Sequence, residues 1–504
     1  MDTNGARRLL RWVAWSVVAV GVLSACTAAE PDFPAYPVAL PPSTVADLQD
    51  ANDTTTTTPS EPDHIVISPT DNASQIVDDA PEGTTFEFLP GVHRRFTVDP
   101  KDDTTFIGRE GAVLSGAVVL IDATETSEGW RFDGIEFTGV DHGSCIDNYD
   151  GCGLSQDLFF DDVMMWQVTD RQDLDVGTWF WDGPSIHVFD DPTQRRVELS
   201  IDKYAFIGDS DDVTITNLLV EKYATPAQSG AIQAQKPGNG DRGARWLVED
   251  VEIRGAHGAG IRTGDQTIVR RVYSHHNGQM GITVSGGTDV LVEDSEFAFN
   301  NIAGFAWGWE AGGSKFTRTH GLIIRGNYAH DNTGPGLWTD IDNVDTLYES
   351  NRVFDNTGPG IFHEISYAAV IRNNHVEGNG FGHDSWLWGA GILIAASSDV
   401  EVYDNVVINN ANGITGIQQK RGSGDIGEYL LARLYVHHNT VTLGDGQMGL
   451  AEDADDPGVF TDRDNRFDFN IYEPEVNRSY RWGGKQLLRE AWVAEGQDVN
   501  GTWN

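Results

Sequence analysis

The chain has 504 residues, of which 77 are Asp or Glu and 34 are Lys or Arg, so its formal net charge is −43. This acidic balance disfavours phosphate-driven binding, and no nucleic-acid partner is expected. A hydrophobic content of 39 % excludes a disordered chain. The length fits two or three compact domains or one elongated domain, and the 56 glycines favour the elongated one.

The N-terminus has the pattern of an export signal. Three arginines within the first eleven residues precede a largely apolar run over 12–25, which is shorter than the roughly 20 residues that span a bilayer. The run ends in small residues before Cys26 and resembles a bacterial lipoprotein signal. The resemblance implies a signal peptide over 1–25, lipidation of Cys26, and an extracytoplasmic protein held on the cell membrane or outer surface by its lipid alone. An ordinary secretory signal with a chance cysteine is the alternative.

Residues 26–63 are predicted to form an extended tether. They contain seven of the 19 prolines and a run of five threonines, a composition that cannot bury a core. Beyond the tether, Cys145 and Cys152 lie in the glycine-rich segment GSCIDNYDGCG. In an oxidising exterior we expect these two to form a local disulfide, with free thiols as the alternative.

From about residue 205 the chain repeats short β-rich runs that are followed by Asn or Asp and then by Gly. The base spacing is 22–24 residues, and DNTGPG occurs at both Asp331–Gly336 and Asp355–Gly360. Asn327, Asn351 and Asn374 recur with the same spacing, which suits turns and stacked amide ladders. Such a period predicts a solenoid. The glycines that we align are Gly230, Gly260, Gly281, Gly304, Gly336, Gly360, Gly391, Gly413 and Gly449.

This pattern resembles the right-handed parallel β-helix of extracellular polysaccharide-active proteins. We therefore predict an all-β solenoid over 64–457 with loop insertions, one of them a β-rich excursion near 150–205. Residues 458–504 are predicted to form a C-terminal cap. Within the cap, Lys485–Ala494 has helical spacing and is expected to cover the last coil.

Two carboxylates share one register of the repeat. The fourth residue after the aligned glycine is Asp340 in one coil and Glu364 in the next. Equivalent positions of adjacent coils lie about 4.8 Å apart, a separation that suits a retaining glycosidase. The aligned neighbours on either side are Gly308 and Ala395, which leave space for a ligand. Alternatively, two solvated acids share a register by chance.

Strand alternation predicts which side chains face outward. The residues expected outside are Trp338, Asp340, Phe362 and Glu364, and those expected inside are Leu337, Ile341, Ile361 and Ile365. Because like charges held close together favour protonation of one of them, the pair could supply both an acid and a base.

The segments GLWTD over 336–340 and FHEI over 362–365 resemble the catalytic region of glycoside hydrolase family 120, the β-xylosidases with a β-helix fold. In that family a strand ending in Asp is followed one coil later by a strand carrying Glu. The resemblance implies Asp340 as the nucleophile and Glu364 as the general acid/base. The acidic balance disfavours a polyanionic substrate, so we expect a neutral oligo- or polysaccharide, and the resemblance makes pentose one candidate sugar while its identity and linkage are left open.

Aromatic and polar side chains surround the acid pair in the sequence, mainly in two insertions at 308–318 and 378–389 that are expected to wall a pocket. Indole faces suit sugars, although tryptophan is equally common as a half-buried anchor. For the polar members, solvated loop side chains are the alternative. The predicted substrate-binding residues are Trp307, Trp309, Glu310, Lys315, Trp338, His383, Trp386 and Trp388.

No metal site and no cofactor are predicted. The run 340–345 carries oxygen ligands that could hold Ca²⁺, and His275-His276 is too short a motif to indicate a metal. His363 is expected to be a packed histidine. Two other functions stay open: a polysaccharide lyase or uronan epimerase on the same fold, which would need cationic groups or Ca²⁺, and a non-catalytic glycan-binding protein. The oligomeric state is left open.

Overall fold

The computed structural model describes residues 38–39, 64–147, 149–238, 240–383, 385–473 and 479–504. The predicted signal peptide, Cys26 and all of the tether except 38–39 lie outside these ranges. Within them no helix is long and apolar enough to span a membrane. The α-helices are short and comprise Ala73–Asp79, Trp307–Glu310, Gly458–Thr461 and Arg489–Ala494, with a 3₁₀ turn at Arg171–Asp173.

Parallel strands stack into a solenoid with three faces, and a typical coil gives one strand to each face. Face one carries the predicted acid pair. Its parallel strands are Phe206–Ile207, Gly230–Gln233, Ala259–Arg262, Met280–Thr288, Gly312–His320, Leu337–Asp340, Ile361–Glu364, Ala390–Ala395, Asn412–Gln418, Met448–Glu452 and Tyr480–Trp482.

The other two faces complete each coil, and together with face one they confirm the predicted all-β parallel β-helix. Face two consists of His64–Ile67, Thr85–Phe88, Thr105–Gly108, Thr214–Thr216, Leu247–Glu249, Ile268–Arg270, Leu291–Glu293, Ile323–Arg325, Val344–Glu349, Tyr367–Arg372, Ser398–Tyr403, Tyr435–His437 and Arg466–Asp468. Face three consists of Gly91–Arg94, Ala112–Ser115, Leu219–Glu221, Glu252–Arg254, Tyr273–His275, Glu296–Ala298, Tyr328–His330, Arg352–Phe354, His375–Glu377, Val406–Ile408, Thr440–Thr442, Ile471–Tyr472 and Thr502–Trp503.

A column of glycines starts the strands of face one because the coils approach too closely there for a side chain. A Cβ at Gly336 would lie 2.8 Å from the carbonyl oxygen of Gly360, and one at Gly360 would lie 2.7 Å from that of Gly391. Only glycine fits such contacts without a shift of backbone. The column differs from the predicted one at three positions. Gly281 pairs with Gly313 rather than Gly304, Gly230 pairs with Ala259 rather than Gly260, and Gly449 pairs with Thr415 rather than Gly413.

Asparagine ladders run along two turns of the solenoid. In one, Asn351 donates its side-chain N–H to Oδ1 of Asn374 at 2.9 Å, and Asn374 donates in the same way to Asn405 at 2.9 Å. The ladder continues to Asn470, which donates to Oδ1 of Asp498. Each buried amide is thereby satisfied by the next coil. The second ladder contains Asn277, Asn300, Asn332, Asn356, Asn379 and Asn410.

The β-rich insertion is larger than predicted. Its mostly antiparallel strands span 117–200 rather than beginning near 150, because Ala117–Leu120 pairs with Val197–Ser200 instead of with a coil. The sulfurs of Cys145 and Cys152 are bonded in the loop that faces the solenoid. Its strands are Ala117–Leu120, Thr124–Thr126, Gly129–Asp133, Leu158–Phe160, Val163–Gln167, Thr178–Trp181, Ser185–Val188 and Val197–Ser200, joined by Val38–Ala39.

A buried group of charges joins the insertion to the solenoid. Glu198 of the insertion is 1 % exposed. Its carboxylate lies 2.6 Å from Lys222 Nζ and 2.6 Å from an Arg94 guanidinium nitrogen. Arg196 lies 3.1 Å away, and Asp162 also pairs with Lys222. Three cations therefore surround one buried carboxylate.

The C-terminal end departs from the predicted boundaries. The three faces continue past residue 457, because Arg466–Asp468 and Ile471–Tyr472 pair in parallel with the coil before them. Lys485–Leu487 is a strand that pairs antiparallel with Tyr480–Trp482, so the predicted helix begins only at Arg489. Its buried Trp492 closes the core.

Candidate active site

The strands Leu337–Asp340 and Ile361–Glu364 lie side by side on face one. Thr339 pairs with His363, and the same register places Asp340 beside Glu364. The residue beside Asp340 on the preceding coil is Thr317 rather than the predicted Gly308. This prediction was wrong because Gly308 belongs to a short helix in the loop before the strand Gly312–His320.

The predicted alternation holds up to the two carboxylates. Leu337 and Ile361 are in the main core, whereas Trp338 and Phe362 belong to a separate cluster outside the solenoid wall. The prediction for Ile341 and Ile365 was wrong, since both belong to a third cluster outside that core. The chain leaves the strand at these residues with φ of 59° and 32°, which ends the alternation.

Each carboxylate has its own cation. Lys315, one coil before Asp340, lies 2.8 Å from Asp340 Oδ2 and has its Nζ 3.8 Å from the centre of the Trp338 ring. Arg421, from a loop after the strand Asn412–Gln418, donates to Oε1 of Glu364. Asp340 and Glu364 are each 6 % exposed, and Oδ1 of Asp340 has no hydrogen-bond partner among the described residues.

The surroundings of Glu364 favour its protonated form. Burial raises the pKa of Glu364 to about 7, and the negative charge of Asp340 acts in the same direction. Arg421 and Lys315 oppose this shift without cancelling it. A carboxyl group with such a pKa can hold a proton near neutral pH and release it again, which general acid/base chemistry requires.

A cavity of about 410 Å³ opens over the two carboxylates. Trp338 stacks on Phe362 with ring centres 5.4 Å apart and forms part of the floor. Trp307 meets His383 edge to face at 4.5 Å. The lining residues are Trp307, Gly308, Trp309, Lys315, Trp338, Asp340, Phe362, Glu364, His383, Ser385, Trp388 and Arg421. Such apolar walls with a few polar groups are typical of sites for small ligands.

Two predicted substrate-binding residues do not line this cavity. Glu310 is buried behind Lys315, 3.7 Å from its Nζ, and accepts a hydrogen bond from Gln228. Trp386 packs near Trp388 with ring centres 6.5 Å apart. The predicted wall at 308–318 is also split, since 312–318 belongs to a strand of face one and only the loop before it borders the cavity.

Arg421 lines the cavity but was not predicted from the sequence. This arginine lies 57 positions after Glu364, in a loop that replaces the turn between two strands of one coil. Its only signal in the sequence is the length of that interruption, since residues 419–434 separate strands that two residues join in each of the two preceding coils.

The run 340–345 is engaged by protein groups rather than free. Asp342 Oδ1 accepts from the backbone N–H of Asp425 at 3.1 Å, and Asn343 Nδ2 donates to Ser366 at 3.1 Å. Within the described ranges, no group of three or more His, Cys, Asp or Glu side chains is arranged to hold a metal ion. His363 is fully buried and hydrogen-bonded to Thr339, and burial lowers the pKa of His363 to about 3.

Comparisons with known proteins agree with this architecture. A family model described as right handed beta helix region matches residues 238–407. The structure of XylC with xylose is similar over 78 % of this chain and 86 % of that one, at 16 % identity and a TM-score of 0.55. No curated protein matches the sequence. These findings show the right-handed parallel β-helix fold.

Two further solved structures match most of the chain at lower scores. The A-module of the mannuronan C-5 epimerase AlgE4 from Azotobacter vinelandii is 14 % identical, with a TM-score of 0.47 over 80 % of this chain and 87 % of that one. A mannuronic acid specific polysaccharide family 6 lyase from human gut microbiota is 10 % identical, with a TM-score of 0.46 over 86 % and 84 %.

Proposed function

We propose that the protein is a retaining glycoside hydrolase with Asp340 as nucleophile and Glu364 as general acid/base. The observation that carries this proposal is the register of two buried carboxylates on adjacent coils at the base of one cavity. The strand spacing of about 4.8 Å fits the roughly 5 Å separation of retaining enzymes and is too short for the water that inverting enzymes place between the groups.

The two carboxylates differ in the way that the reaction needs. In the first step Asp340 attacks the anomeric carbon, the glycosidic bond breaks, and Glu364 gives its proton to the departing oxygen. In the second step Glu364 takes a proton from water, whose oxygen displaces Asp340 from the anomeric carbon. Lys315 lies 2.8 Å from Oδ2 of Asp340, the proposed nucleophile, while the raised pKa of Glu364 supports its role as the acid.

The substrate that fits best is a neutral sugar. Both cations that line the cavity, Lys315 and Arg421, are already paired with Asp340 and Glu364, so they are poorly placed to neutralise an anionic sugar. Indole and phenyl rings form much of the remaining wall. XylC, whose structure contains xylose, has a similar fold and supports testing pentosides first.

The test is hydrolysis of 4-nitrophenyl β-D-xyloside and a panel of other neutral aryl glycosides by the chain without residues 1–25. We expect Asp340→Asn to abolish turnover and Glu364→Gln to lower it by roughly 10²–10⁴-fold. Glu401→Gln, on face two, is the matched control and should leave kcat/KM unchanged. Activity that survives both active-site substitutions would refute the assignment, and an inverted anomer seen by NMR would exclude Asp340 as nucleophile.

A lyase or epimerase on this fold is the second candidate, and it requires Lys315 or Arg421 to leave its carboxylate and neutralise an anionic sugar. It predicts unsaturated, ultraviolet-absorbing products or a changed C5 configuration from uronic-acid polymers. Glycan binding without turnover would instead indicate a non-catalytic binding protein. Both outcomes are read in the same screen by adding an alginate and a xylan to the aryl glycosides.

A further inference from the structure

The loop 419–430, called here the Arg421 loop, crosses from the end of the strand Asn412–Gln418 to the two catalytic coils. Arg421 at its start reaches Glu364, while the rest of the loop contacts the turns that directly follow the two carboxylates. Asp342 lies two residues after Asp340, and Tyr367 lies three residues after Glu364. The loop therefore contacts the same two coils that carry the chemistry.

Specific contacts hold the Arg421 loop in place. Asp342 Oδ1 accepts from the N–H of Asp425 at 3.1 Å, and the Tyr367 hydroxyl donates to the carbonyl of Gly427 at 2.8 Å. The rings of Tyr367 and Tyr429 stack with centres 5.8 Å apart. A Cβ on Gly424 would meet Asp342 Oδ1 at 1.7 Å, so the carboxylate fits against the loop only because this residue is glycine.

We propose that Asp342 and Arg421 are positioning residues for the acid/base: Asp342 latches the loop, and Arg421 holds Glu364 by Oε1 so that the proton is carried on Oε2. This inference rests on the proposed role of Glu364. Neither residue is required to touch the sugar. Asp342, whose acidic run resembled a cation site in the sequence, instead serves the loop that delivers the guanidinium.

The charges facing Glu364 explain why the pairing matters. Asp340 stands on the preceding coil and Lys315 on the coil before that. Arg421 comes from its loop and His383 from the loop at the cavity rim, while the next coil presents uncharged Ala395. The Asp340 charge favours protonated Glu364, and the guanidinium favours the ionised form. When Asp340 becomes a neutral ester, the guanidinium acts without that opposing charge and keeps the base ready to accept a proton from water.

The test compares Arg421→Ala, Arg421→Lys and Asp342→Asn with Glu428→Gln, an exposed carboxylate in the same loop. With 4-nitrophenyl β-D-xyloside, Arg421→Ala should move the basic limb of kcat/KM upward by about one pH unit, because losing the cation raises the pKa of Glu364. Asp342→Asn should move it in the same direction by less. Arg421→Lys should restore most of the shift, and Glu428→Gln should change nothing. A raised KM with an unshifted limb would mean that Arg421 binds the sugar, and the proposal would be wrong.

A second readout does not depend on turnover. Arg421→Ala should lower Tm more at pH 8, where Glu364 is ionised, than at pH 5, where it is protonated. In the Glu364→Gln background this pH dependence should vanish. Equal losses at both pH values in both backgrounds would refute the positioning role. If the pH-dependent coupling is present but no glycoside is hydrolysed, the positioning of Glu364 stands and the proposed hydrolase function fails.

Discussion

Two buried clusters of charged side chains contain the same residue types but shift the pKa of their glutamate in opposite directions. At the junction between the insertion and the solenoid, Glu198 is surrounded by Lys222, Arg94 and Arg196. In the cavity on face one, Glu364 has one arginine partner and stands beside a second carboxylate, Asp340. Burial pushes the pKa of Glu198 upward, but its cations outweigh burial and the net shift is downward. For Glu364 the net shift is upward, to about 7.

The comparison shows that burial alone does not decide the state of a carboxyl group. Glu198 and Glu364 are 1 % and 6 % exposed, so both have lost nearly all contact with water. What differs is the number of cations for each carboxylate. The junction has enough cations to keep Glu198 ionised, which serves stability, whereas the cavity has too few to do the same for Glu364, which suits the proton transfer that we propose for it.

The largest effect is expected from removing a cation from the charged cluster around Glu198. Lys222→Met leaves Glu198 and Asp162 without their shared, fully buried cation, and the free energy of unfolding should fall by about 3–5 kcal/mol. Lys236→Met is the matched control, since that lysine pairs with Asp99 and Asp209 near the surface and should cost less than about 1 kcal/mol. The measurement is urea unfolding at pH 7. Equal losses in the two variants would show that the cluster contributes no more than surface pairs do.

Replacing the buried glutamate by glutamine should change the free energy of unfolding in opposite directions in the two clusters. Because the pKa of Glu364 is raised from 4.5 to about 7 in the folded protein, ionising this carboxyl group costs folding free energy, and the cost grows as pH rises between these two values. Glu364→Gln removes that cost. It should therefore stabilise the fold by on the order of 3 kcal/mol at pH 8 and leave the stability at pH 4 unchanged. Glu198→Gln should destabilise the fold above pH 4.5, with the loss shrinking as pH falls through the lowered pKa. Thermal melts from about pH 2 to pH 8 measure both. The same sign in both variants would contradict the comparison.

The smallest effect is expected in the uncharged ladder. Asn374→Ala leaves the backbone and side-chain N–H groups of Asn351 without their acceptor, at a cost of about 1–3 kcal/mol. Because no titrating group is involved, the loss in Tm should be the same at pH 5 and pH 8. Asn409→Ala, at a solvent-facing position in the same region, is the control. A ladder variant that loses stability only at one pH would mean that a charged neighbour has been overlooked.

The fold was predictable because short motifs that recur at a fixed spacing in the sequence reveal the length of each coil. The duplicated DNTGPG fixes two coils in register, and the recurring asparagines mark the turns that the ladders occupy. The adjacency of Asp340 and Glu364 follows from that register and is present in the structure. The roles assigned to the pair and the lipid on Cys26 stay predictions.

Features that break the period were not predictable. Arg421 comes from an irregular loop whose position depends on contacts with Asp342 and Tyr367, distant in sequence. Gly304 resembled a repeat glycine because it lies 23 residues after Gly281, whereas Gly313, which shares the register of Gly281, lies 32 residues after it. The start of the insertion was missed because Ala117–Leu120 has the composition of a coil strand and differs only in its partner.

In the asparagine ladder that ends at Asp498, the hydrogen bonds between side chains all run in the same direction along the solenoid. Each amide donates its N–H toward the C-terminal end and accepts from the N-terminal side, so the last position needs an acceptor and no forward donor. Asp498 meets that need: one of its oxygens ends the chain of amides from Asn470, and the other accepts from the Tyr472 hydroxyl and the Trp492 indole. The residue that ends the ladder thus differs from the repeated asparagine only in having a second carboxylate oxygen in place of the amide nitrogen. Coils gained or lost by duplication could change the number of asparagines freely, provided that the aspartate stays last.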